Sequence, residues 1–412
     1  MGSLIIGKRI LRELSKHGYQ GYFVGGVVRD IIIGREISDI DIATDAPPDK
    51  VMEIFTKTVP IGLKHGTVLV LLDGNKFEVT TFRLDGKYLD FRHPSDVKFV
   101  SGLEEDLSRR DFTINAFAMD ADDQIIDLFE GRKAIAQKLI KTVGNPEERF
   151  LEDPLRMLRA IRFASQLDFT IDVSTWEGLK QSASNLQYIS NERIKIELDK
   201  IMQSDYAYLG IELLYKSNLI SWIKGLNVTN ITKLDYVTNF KLIKKTSKAI
   251  ERWFLFLFPL NEKERQVVMN TLKFPNRERK TINMVFKSYA ILNNEINIVN
   301  IKKCLIETSD DICLTALNLV ALINGINEVE KDIYSNQLDQ IKKDLTVREI
   351  KDLELNGSDL LAAFNSSAGP WINIILEKLF RQVVFNNLTN NKSILLERAI
   401  MIKEGVGNGE EN

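Results

Sequence analysis

Two aspartates separated by one residue lie in an apolar, β-branched segment, DIDIAT, at residues 39–44. Side chains alternate along a β-strand, so this spacing predicts that the carboxylates of Asp39 and Asp41 share one face. Adjacent carboxylates repel each other unless a cation lies between them, and Mg²⁺ is the usual partner of hard oxygen ligands. The pattern indicates a magnesium site, although a bare D-x-D also describes an exposed strand with two solvated acids.

A glycine pair precedes these acids and is followed closely by Arg29. Gly25 and Gly26 lie between a short predicted strand, 21–24, and a predicted helix, 27–33. Glycine lets backbone N–H groups approach a phosphate closely, and the N-terminus of a helix attracts anions. This setting favours a phosphate-binding site over the interpretation as solvated acids.

A β-hairpin is expected next, with strands at 68–72 and 76–82 and a turn at 73–75. In the second strand Glu78 lies on the face opposite to the apolar side chains. Glu78 is therefore a candidate third metal ligand, and the alternative is an outward-facing strand residue. The polar segment 83–93 is predicted to be a mobile loop, and its charged candidates are Arg83, Asp85, Lys87 and Arg92.

A second cluster of polar residues, RRDFTINA, occupies residues 109–116. It places paired cations beside an acid, a hydroxyl and an amide, and these groups suit contacts to a triphosphate and a ribose. Arg110, Asp111 and Asn115 are its candidate nucleotide ligands. Taken alone, the Arg-Arg-Asp run also fits a surface charge pair.

The segment EDPLRMLRAIRF at residues 152–163 predicts a helix with a strongly cationic face. An Asp-Pro pair favours a helix start, since the acid caps the first turn and proline is tolerated there. The apolar residues gather on one side, and the polar residues wind across the other, namely Asp153, Arg156, Arg159 and Arg162. A capped helix with a solvated arginine face is the alternative, but three arginines without a lysine favour bidentate recognition.

A carboxylate beside a guanidinium can choose between nucleotide bases. Cytosine and adenine each present an exocyclic amine next to a ring-nitrogen acceptor on the Watson–Crick edge. The carboxylate accepts from the amine while the guanidinium donates to the ring nitrogen. Uracil and guanine present a carbonyl and a ring N–H at these places, so both contacts would be lost. Such a site admits C and A without a nucleic-acid template.

The whole sequence describes an ordinary globular chain whose structural class changes along its length. It has 412 residues, 44% hydrophobic and 27% charged, with a net charge of −2, so nucleic-acid binding must use a local patch. Its only cysteines are Cys304 and Cys313, no signal peptide or membrane-spanning run is recognised, and a reducing cytoplasm is expected. β signals become rare beyond residue 135, which predicts an α/β head with a mixed sheet followed by an all-α region.

Together these motifs resemble the bacterial class II CCA-adding enzymes, tRNA nucleotidyltransferases of the DNA polymerase β superfamily. The resemblance is carried by GGVVRD (25–30), DIDIAT (39–44), FEVTTFR (77–83), RRDFTINA (109–116), EDPLRMLRAIRF (152–163) and SNERIKIEL (190–198), with GSDLLAAFN and GPWI within 357–373. It implies an α/β nucleotidyltransferase head at 1–137, followed by an all-α neck at 138–205, body at 206–310 and tail at 311–412. The helical parts would hold the acceptor arm of a tRNA.

The resemblance also implies roles for the candidate residues. The catalytic candidates are Asp39, Asp41 and Glu78, and the resemblance makes the two aspartates Mg²⁺ ligands. The nucleotide would be held by Gly25, Gly26, Arg29, Arg110, Asp111 and Asn115 and selected by Asp153, Arg156, Arg159 and Arg162. The loop that begins at Arg83 would help the site to change from C to A. Candidate tRNA phosphate contacts, or else members of a solvated helix face, are Lys241, Lys244, Lys245, Lys248 and Arg252.

The expected activity is the addition of C, C and A to the 3′ end of tRNA from CTP and ATP, with release of pyrophosphate. Two Mg²⁺ ions would act, one on the terminal 3′-OH and one on the triphosphate. A poly(A) polymerase is the nearest alternative because it shares the head motifs, but this chain ends in Gly-Glu-Glu-Asn without a basic extension. A partial enzyme that adds only CC or only A also stays open. A D-x-D glycosyltransferase or a non-catalytic RNA-binding scaffold fits the motifs less well.

Overall fold

The computed structural model describes residues 2–37, 39–62, 66–85, 97–100, 102–227 and 241–406. The chain divides into two compact units, Met1–Phe274 and Pro275–Asn412. The first unit contains a large sheet and the helices that follow it, and the described part of the second unit is helical. The finer division at residues 137, 205 and 310 stays a prediction.

The N-terminal part of the first unit is built on a mixed sheet. The strands are β1 (Gly21–Val24), β2 (Asp41–Thr44), β3 (Thr58–Gly62), β4 (Thr67–Leu72), β5 (Asn75–Thr81), β6 (Arg83–Asp85), β7 (Val97–Phe99), β8 (Phe117–Met119) and β9 (Ile125–Asp127). Seven of them form one sheet in the order β3-β4-β5-β2-β1-β8-β9, and β6 pairs with β7 separately. Only β2 and β5 run parallel within the described sheet, so the predicted mixed sheet is confirmed.

The hairpin between β4 and β5 forms where the sequence predicts it. Leu72 pairs with Asn75, so the connecting turn consists of Asp73 and Gly74 alone. These residues have φ values of 49° and 77°, as a type I′ turn requires at both central positions. Because a tight turn sets the register of the strands that it joins, it also determines the face on which Glu78 lies.

Helices cover the sheet and share its buried core. They are α1 (Gly2–Lys16), α2 (Gly26–Ile33), α3 (Pro48–Ile54), α4 (Leu103–Ser108) and α5 (Gly131–Ala136). The apolar side of α1, represented by Ile10 and Leu14, packs with Phe23 of β1, Ile42 of β2 and Phe77 of β5 in one buried cluster. This burial fixes β1, which ends just before the glycine pair, and β2, which begins at Asp41.

Helices dominate the rest of the first unit, as predicted. They are α6 (Pro146–Glu152), α7 (Leu155–Leu167), α8 (Val173–Ser182), α9 (Asn191–Gln203), α10 (Ala207–Lys216), α11 (Ala249–Leu257) and α12 (Glu262–Thr271). Beyond residue 135, the described strands are the two-residue β10 (Leu139–Ile140) and β11 (Thr170–Ile171), which pair in parallel. α7 packs against both α9 and α10, so most of its surface is covered by protein.

The second unit consists of helices with short connections. They are α13 (Asn276–Asn294), α14 (Ile298–Glu307), α15 (Asp310–Asn324), α16 (Glu328–Asp344), α17 (Gly357–Phe364), α18 (Trp371–Phe385) and α19 (Lys392–Val406). Side chains of Asn297, Ser309, Asn327 and Asn356 cap the first turns of four of them. Both cysteines are buried free thiols in this unit. Among the described residues, no helix is both long and apolar enough to cross a membrane.

Arg252 does not belong to an exposed cationic face, contrary to the sequence-based expectation. It is buried in α11, where its guanidinium donates to the carbonyls of Met202 and Ser204 at 2.7 Å and of Thr246 at 3.0 Å. These carbonyls lie at the C-terminal end of α9 and just before α11, and a cation is favourable at a helix C-terminus. The four lysines of the same candidate set are exposed and stay candidate phosphate contacts: Lys241, Lys244, Lys245 and Lys248.

Replacing Arg252 by alanine is expected to destabilise the first unit without a direct effect on RNA contacts. The change removes charge-assisted hydrogen bonds and leaves buried carbonyls unpaired, which costs about 3 kcal/mol in the free energy of unfolding. Urea unfolding measures this loss, and Lys245→Ala, a change at an exposed residue, serves as the control with an effect within about 0.5 kcal/mol. Unchanged stability of Arg252→Ala together with weaker RNA binding would contradict the structural role.

Candidate functional site

Three exposed carboxylates lie around the start of β2. Asp41 is the first residue of β2 and lies opposite Glu78 in the parallel register with β5. Both side chains are exposed, whereas their neighbours Ile42 and Val79 are buried. Asp39 is also exposed and precedes the strand by two residues. The structure therefore brings Glu78 beside Asp41, on the solvent-facing side that the alternation in β5 predicts.

The expectation that both aspartates lie within a strand is wrong for Asp39. β2 begins only at Asp41 because its partner β1 ends at Val24, and Gly25 turns the chain into α2. Residue 39 consequently has no residue of β1 opposite it. The carboxylate of Asp39 nevertheless lies close enough to that of Asp41 to influence it electrostatically.

The pKa of Asp41 is raised above its ordinary value. Reduced hydration is the largest cause, followed by the charge of Glu78; Arg110 opposes the shift, and Asp39 adds to it. Mutual repulsion of this kind favours a bound cation, and carboxylate oxygens are the donors that hard divalent ions prefer. Among the described residues, no group of three or more His, Cys, Asp or Glu side chains forms a ready-made metal cluster. As a pair of neighbouring carboxylates, Asp39 and Asp41 nevertheless fit a divalent metal by charge and donor type and are its candidate ligands.

The turn at the glycine pair requires glycine at its first position, Gly25. Gly25 has φ 74° and ψ −129°, and a Cβ atom there would lie 2.9 Å from Nη1 of Arg110. At Gly26 a Cβ would make only an ordinary contact, 3.5 Å from Arg29. No described side chain caps the first turn of α2, so its backbone N–H groups can face an anion. The turn thus places a cation and a helix N-terminus together.

Arg110 is held by an acid that the sequence analysis missed. Its Nη2 donates to Oδ2 of Asp106 at 3.1 Å, and Nη2 of Arg109 donates to Oδ1 of the same side chain at 2.6 Å. Burial alone would raise the pKa of Asp106, but the charges and hydrogen bonds of both arginines outweigh burial and lower it. Nε of Arg110 is buried and has no hydrogen-bond partner among the described residues. Asp106 therefore fixes Arg110 beside Gly25 and leaves one donor unused.

A chain of hydrogen bonds links α2 to α7 through the predicted nucleotide ligands. Arg29 donates to Asp30 at 2.9 Å and to Oδ1 of Asn115 at 2.6 Å. Asn115, in a short 3-10 helix, donates to Oδ1 of Asp111 at 3.4 Å. Oδ2 of Asp111 accepts from Nε of Arg159 at 2.7 Å. These candidate residues from three segments therefore form one network.

The other polar residues of the predicted base-selecting set have separate partners. Asp153 accepts from the backbone N–H of Leu155 at 3.1 Å, as the predicted cap, and from Arg193 of α9 at 2.7 Å. Arg156 donates to Glu152 at 2.7 Å and to the carbonyl of Arg109 at 3.1 Å. Asp153 and Arg156 are thus held from different sides, and the ion pair of Asp153 is with Arg193.

Three guanidinium groups surround the ring of Phe163. Those of Arg29 and Arg159 lie 5.4 Å from the ring centroid, and that of Arg162 lies 4.3 Å from it. Nε of Arg162 lies 3.2 Å from Oε2 of Glu197 as an ion pair without hydrogen-bond alignment. Burial lowers the pKa of Arg162 to about 10, and the charge of Arg159 contributes. Because Arg156 and Arg162 are buried, the interpretation as a solvated arginine face is wrong.

A cleft of about 590 Å³ lies within the first unit, beside part of the candidate site. Its lining includes Arg29 of α2, Asp39, Arg162 and Phe163 of α7, and Lys200 of α9. One candidate metal ligand therefore shares a cavity with the arginines. The cleft is large enough for a nucleotide-sized ligand.

The predicted loop is described only at its start. Arg83 and Asp85 belong to β6, which pairs with β7 in antiparallel register, so the expected loop is wrong for residues 83–85. A ladder of backbone hydrogen bonds between 83–85 and 97–99 accounts for the difference. Lys87 and Arg92 lie outside the described residues.

Three partners of the site were missed because sequence reasoning followed single motifs. Asp106 stands three and four residues before the paired arginines, a helical spacing that could have revealed it. Arg193 lies 40 residues from Asp153 and Glu197 lies 35 residues from Arg162, and no local sequence pattern predicts pairs at such separations.

Comparison with known families gives matches along most of the chain. Residues 21–141 match the family "Poly A polymerase head domain", residues 168–227 match "Probable RNA and SrmB- binding site of polymerase A", and residues 244–399 match "tRNA nucleotidyltransferase domain 2 putative". With the mixed sheet and the helices after it, these matches define the class of protein as a nucleotidyltransferase.

Relatives over nearly the full length define the family. The CCA-adding enzyme of Geobacillus sp. (strain WCH70) is 37% identical over 389 residues, 94% of each chain. That of Staphylococcus haemolyticus (strain JCSC1435) is 37% identical over 405 residues, 97% of each chain. The crystal structure of the Bacillus stearothermophilus CCA-adding enzyme in complex with CTP matches with a TM-score of 0.85 at 33% identity, over 98% of both chains. This chain belongs to the family of CCA-adding enzymes, which confirms the resemblance and implies a divalent metal.

The ion pair between Asp111 and Arg159 is expected to make stability depend on acid pH. Burial raises the pKa of Asp111, but the charges of Arg159 and Arg156 outweigh burial and lower it from 3.8 to about 2. The ionised carboxylate therefore stabilises the fold above about pH 4 by about 2 kcal/mol, and this contribution is lost as the pH falls towards 2. Urea unfolding of Asp111→Asn should show a stability deficit at pH 7 that narrows by pH 3.

An exposed acid, changed in Asp122→Asn, is the control for this experiment. The free energy of unfolding of Asp122→Asn should equal that of the parent protein at every pH. A deficit of Asp111→Asn that stayed constant from pH 7 to pH 3 would contradict an ionised Asp111 in the fold.

Proposed function

We propose that this chain adds C, C and A to the 3′ end of tRNA from CTP and ATP and releases pyrophosphate. The observation that carries the proposal is the shared cleft, in which Asp39 meets the arginine-bearing side of α7. The Bacillus stearothermophilus relative, which has a similar fold along nearly its whole length, binds CTP. The free thiols of both cysteines agree with action in the cytoplasm.

Magnesium is the proposed metal, with Asp39 and Asp41 as ligands and Glu78 as the adjacent third acid. Bound there, Mg²⁺ would lower the pKa of the terminal 3′-OH and neutralise charge on the triphosphate, with one ion for each task. The 3′ oxygen attacks the α-phosphorus, and the bond to the pyrophosphate oxygen breaks in line. Exposed carboxylates beside each other at the start of β2 support this assignment.

The triphosphate is proposed to lie against the turn at Gly25–Gly26 and the adjacent guanidinium of Arg110. The first N–H groups of α2 and the guanidinium of Arg110, whose Nη1 faces Gly25, suit phosphate oxygens. Asp106 supports this role because it limits the positions that Arg110 adopts. Arg29, Asp111 and Asn115 are proposed to contact the ribose and phosphates, and their shared hydrogen-bond network supports a common role.

Base selection is proposed to use Asp153 and Arg156, with Arg159 and Arg162 beside them on α7. The amine of the base would donate to Asp153, which also accepts from Arg193. The ring nitrogen would accept from Arg156, which also donates to Glu152. These two partners hold the donor and the acceptor at defined positions, as a protein template requires. Uracil and guanine would leave both groups without matched contacts.

A poly(A) polymerase is the second candidate, because residues 21–141 match the head domain of that class. An enzyme that adds only CC or only A is a further possibility, and one assay distinguishes all three. In the assay, purified protein is incubated with tRNA that lacks its 3′ end and with each nucleotide separately. The lengths of the RNA products are then measured to one nucleotide. Three additions support CCA synthesis, a long A ladder supports poly(A) synthesis, and no product with any nucleotide contradicts both.

Asp41→Ala is expected to reduce incorporation at least 1,000-fold, roughly the loss of a metal ligand's contribution of several kcal/mol. Binding of tRNA should survive, because this exposed side chain supports no core contact. Steady-state incorporation and RNA binding by filter retention measure the two effects, and Asp49→Ala in α3 is the exposed control. Full activity of Asp41→Ala would exclude the metal assignment.

Arg156→Ala and Asp153→Glu should change nucleotide preference more than they change catalytic rate. The ratio of kcat/KM for CTP to that for UTP is expected to fall by about tenfold or more, since one matched contact is worth about 1–3 kcal/mol. Urea unfolding of the same variants separates this effect from destabilisation. An unchanged CTP-to-UTP ratio in both variants would remove the selecting pocket from the proposal.

A further inference from the structure

The cations that line the cleft differ in the number of hydrogen bonds and ion pairs that they make with other residues. Arg29 donates to Asp30 and Asn115, Arg35 donates to the carbonyl of Gln166 at 2.8 Å, and Arg162 pairs with Glu197. Lys200 lines the same cleft from α9 but makes no hydrogen bond or ion pair with any described residue. Lys200 therefore keeps the three donors of its ammonium group for a ligand.

The surroundings of Lys200 favour an anion. Its side chain is exposed towards the cleft, with Arg162 and Arg159 near enough to repel its charge. Glu197, one helical turn earlier, is already engaged with Arg162, and Asp39 is the candidate metal ligand. An ammonium group carries three rotatable donors on a flexible stem, which suits phosphate oxygens.

We infer that Lys200 binds a phosphate group in this cleft and so adds α9 to the elements that hold the reacting ends. The phosphate comes either from the incoming nucleotide or from the 3′-terminal phosphodiester of the RNA. This inference rests on the proposed function, which supplies both phosphates. Lys200 lies on a different helix from every candidate residue of the nucleotide site, and Glu197 on the same helix positions Arg162.

Equilibrium binding tests the inference without any need for turnover. Dissociation constants for CTP and for tRNA that lacks its 3′ end are measured separately on the full chain, for the parent, Lys200→Ala and Lys200→Arg. Lys133→Ala is the matched control, because it removes an exposed lysine that is paired with Glu130. Unfolding by urea verifies that each variant is folded, as expected for an exposed residue.

Loss of one charge-assisted contact should weaken one of the two ligands about tenfold in Lys200→Ala. Lys200→Arg should restore most of the affinity, and Lys133→Ala should match the parent. Weaker CTP binding identifies the triphosphate as the source of the phosphate. Weaker tRNA binding, with a salt dependence reduced by about one charge, identifies the RNA.

Equal affinities of parent and Lys200→Ala for both ligands would overturn the inference. Incorporation by the parent protein is scored independently, so failure of the proposed function is recognised by the absence of product from the parent. An active parent with unaffected Lys200→Ala binding would therefore reject the role of Lys200 alone.

Discussion

Three ion pairs fix the arginines of α7, of which Arg156 and Arg162 are buried and Arg159 is partly exposed. Each finds its acid on a different element: Arg159 pairs with Asp111 of the head, Arg156 with Glu152 at the end of α6, and Arg162 with Glu197 of α9. Removing one partner from such a pair leaves an uncompensated charge, which is far more costly than a lost surface contact. These pairs therefore allow few alternative positions of α7 against the sheet.

The same pairs connect the phosphate and base regions of the proposed site. Asp111 accepts a hydrogen bond from Asn115 on one carboxylate oxygen and from Arg159 on the other. These bonds connect the segment that carries Arg110 to α7. The backbone carbonyl of Arg109 also accepts from Arg156. A nucleotide that contacted both regions would meet groups whose separation is already defined, and preorganisation of this kind limits the entropy lost on binding.

Local patterns predicted the parts of the fold that depend on local chemistry. The Asp73-Gly74 turn and the alternation in β5 placed Glu78 on the correct face, and the apolar spacing in 152–163 predicted α7. Strands β3, β8 and β9 were not predicted, because segments of three to five residues carry little periodicity of their own. Asp39 fell outside β2 because the extent of that strand depends on its neighbour β1. The acids that hold the arginines were missed for a related reason, because an ion pair between residues far apart in the chain produces no local sequence pattern.

Phe163 gives the site a property that no single ion pair has. Its ring is in contact with guanidinium groups from α2 and α7, and it also meets Phe112 edge to face at 5.8 Å. A smaller side chain at this position would loosen all three cations together, whereas a change at one acid affects mainly its own arginine. Redesign of nucleotide preference is therefore better directed at the acids, one at a time, with the aromatic ring kept as the common support.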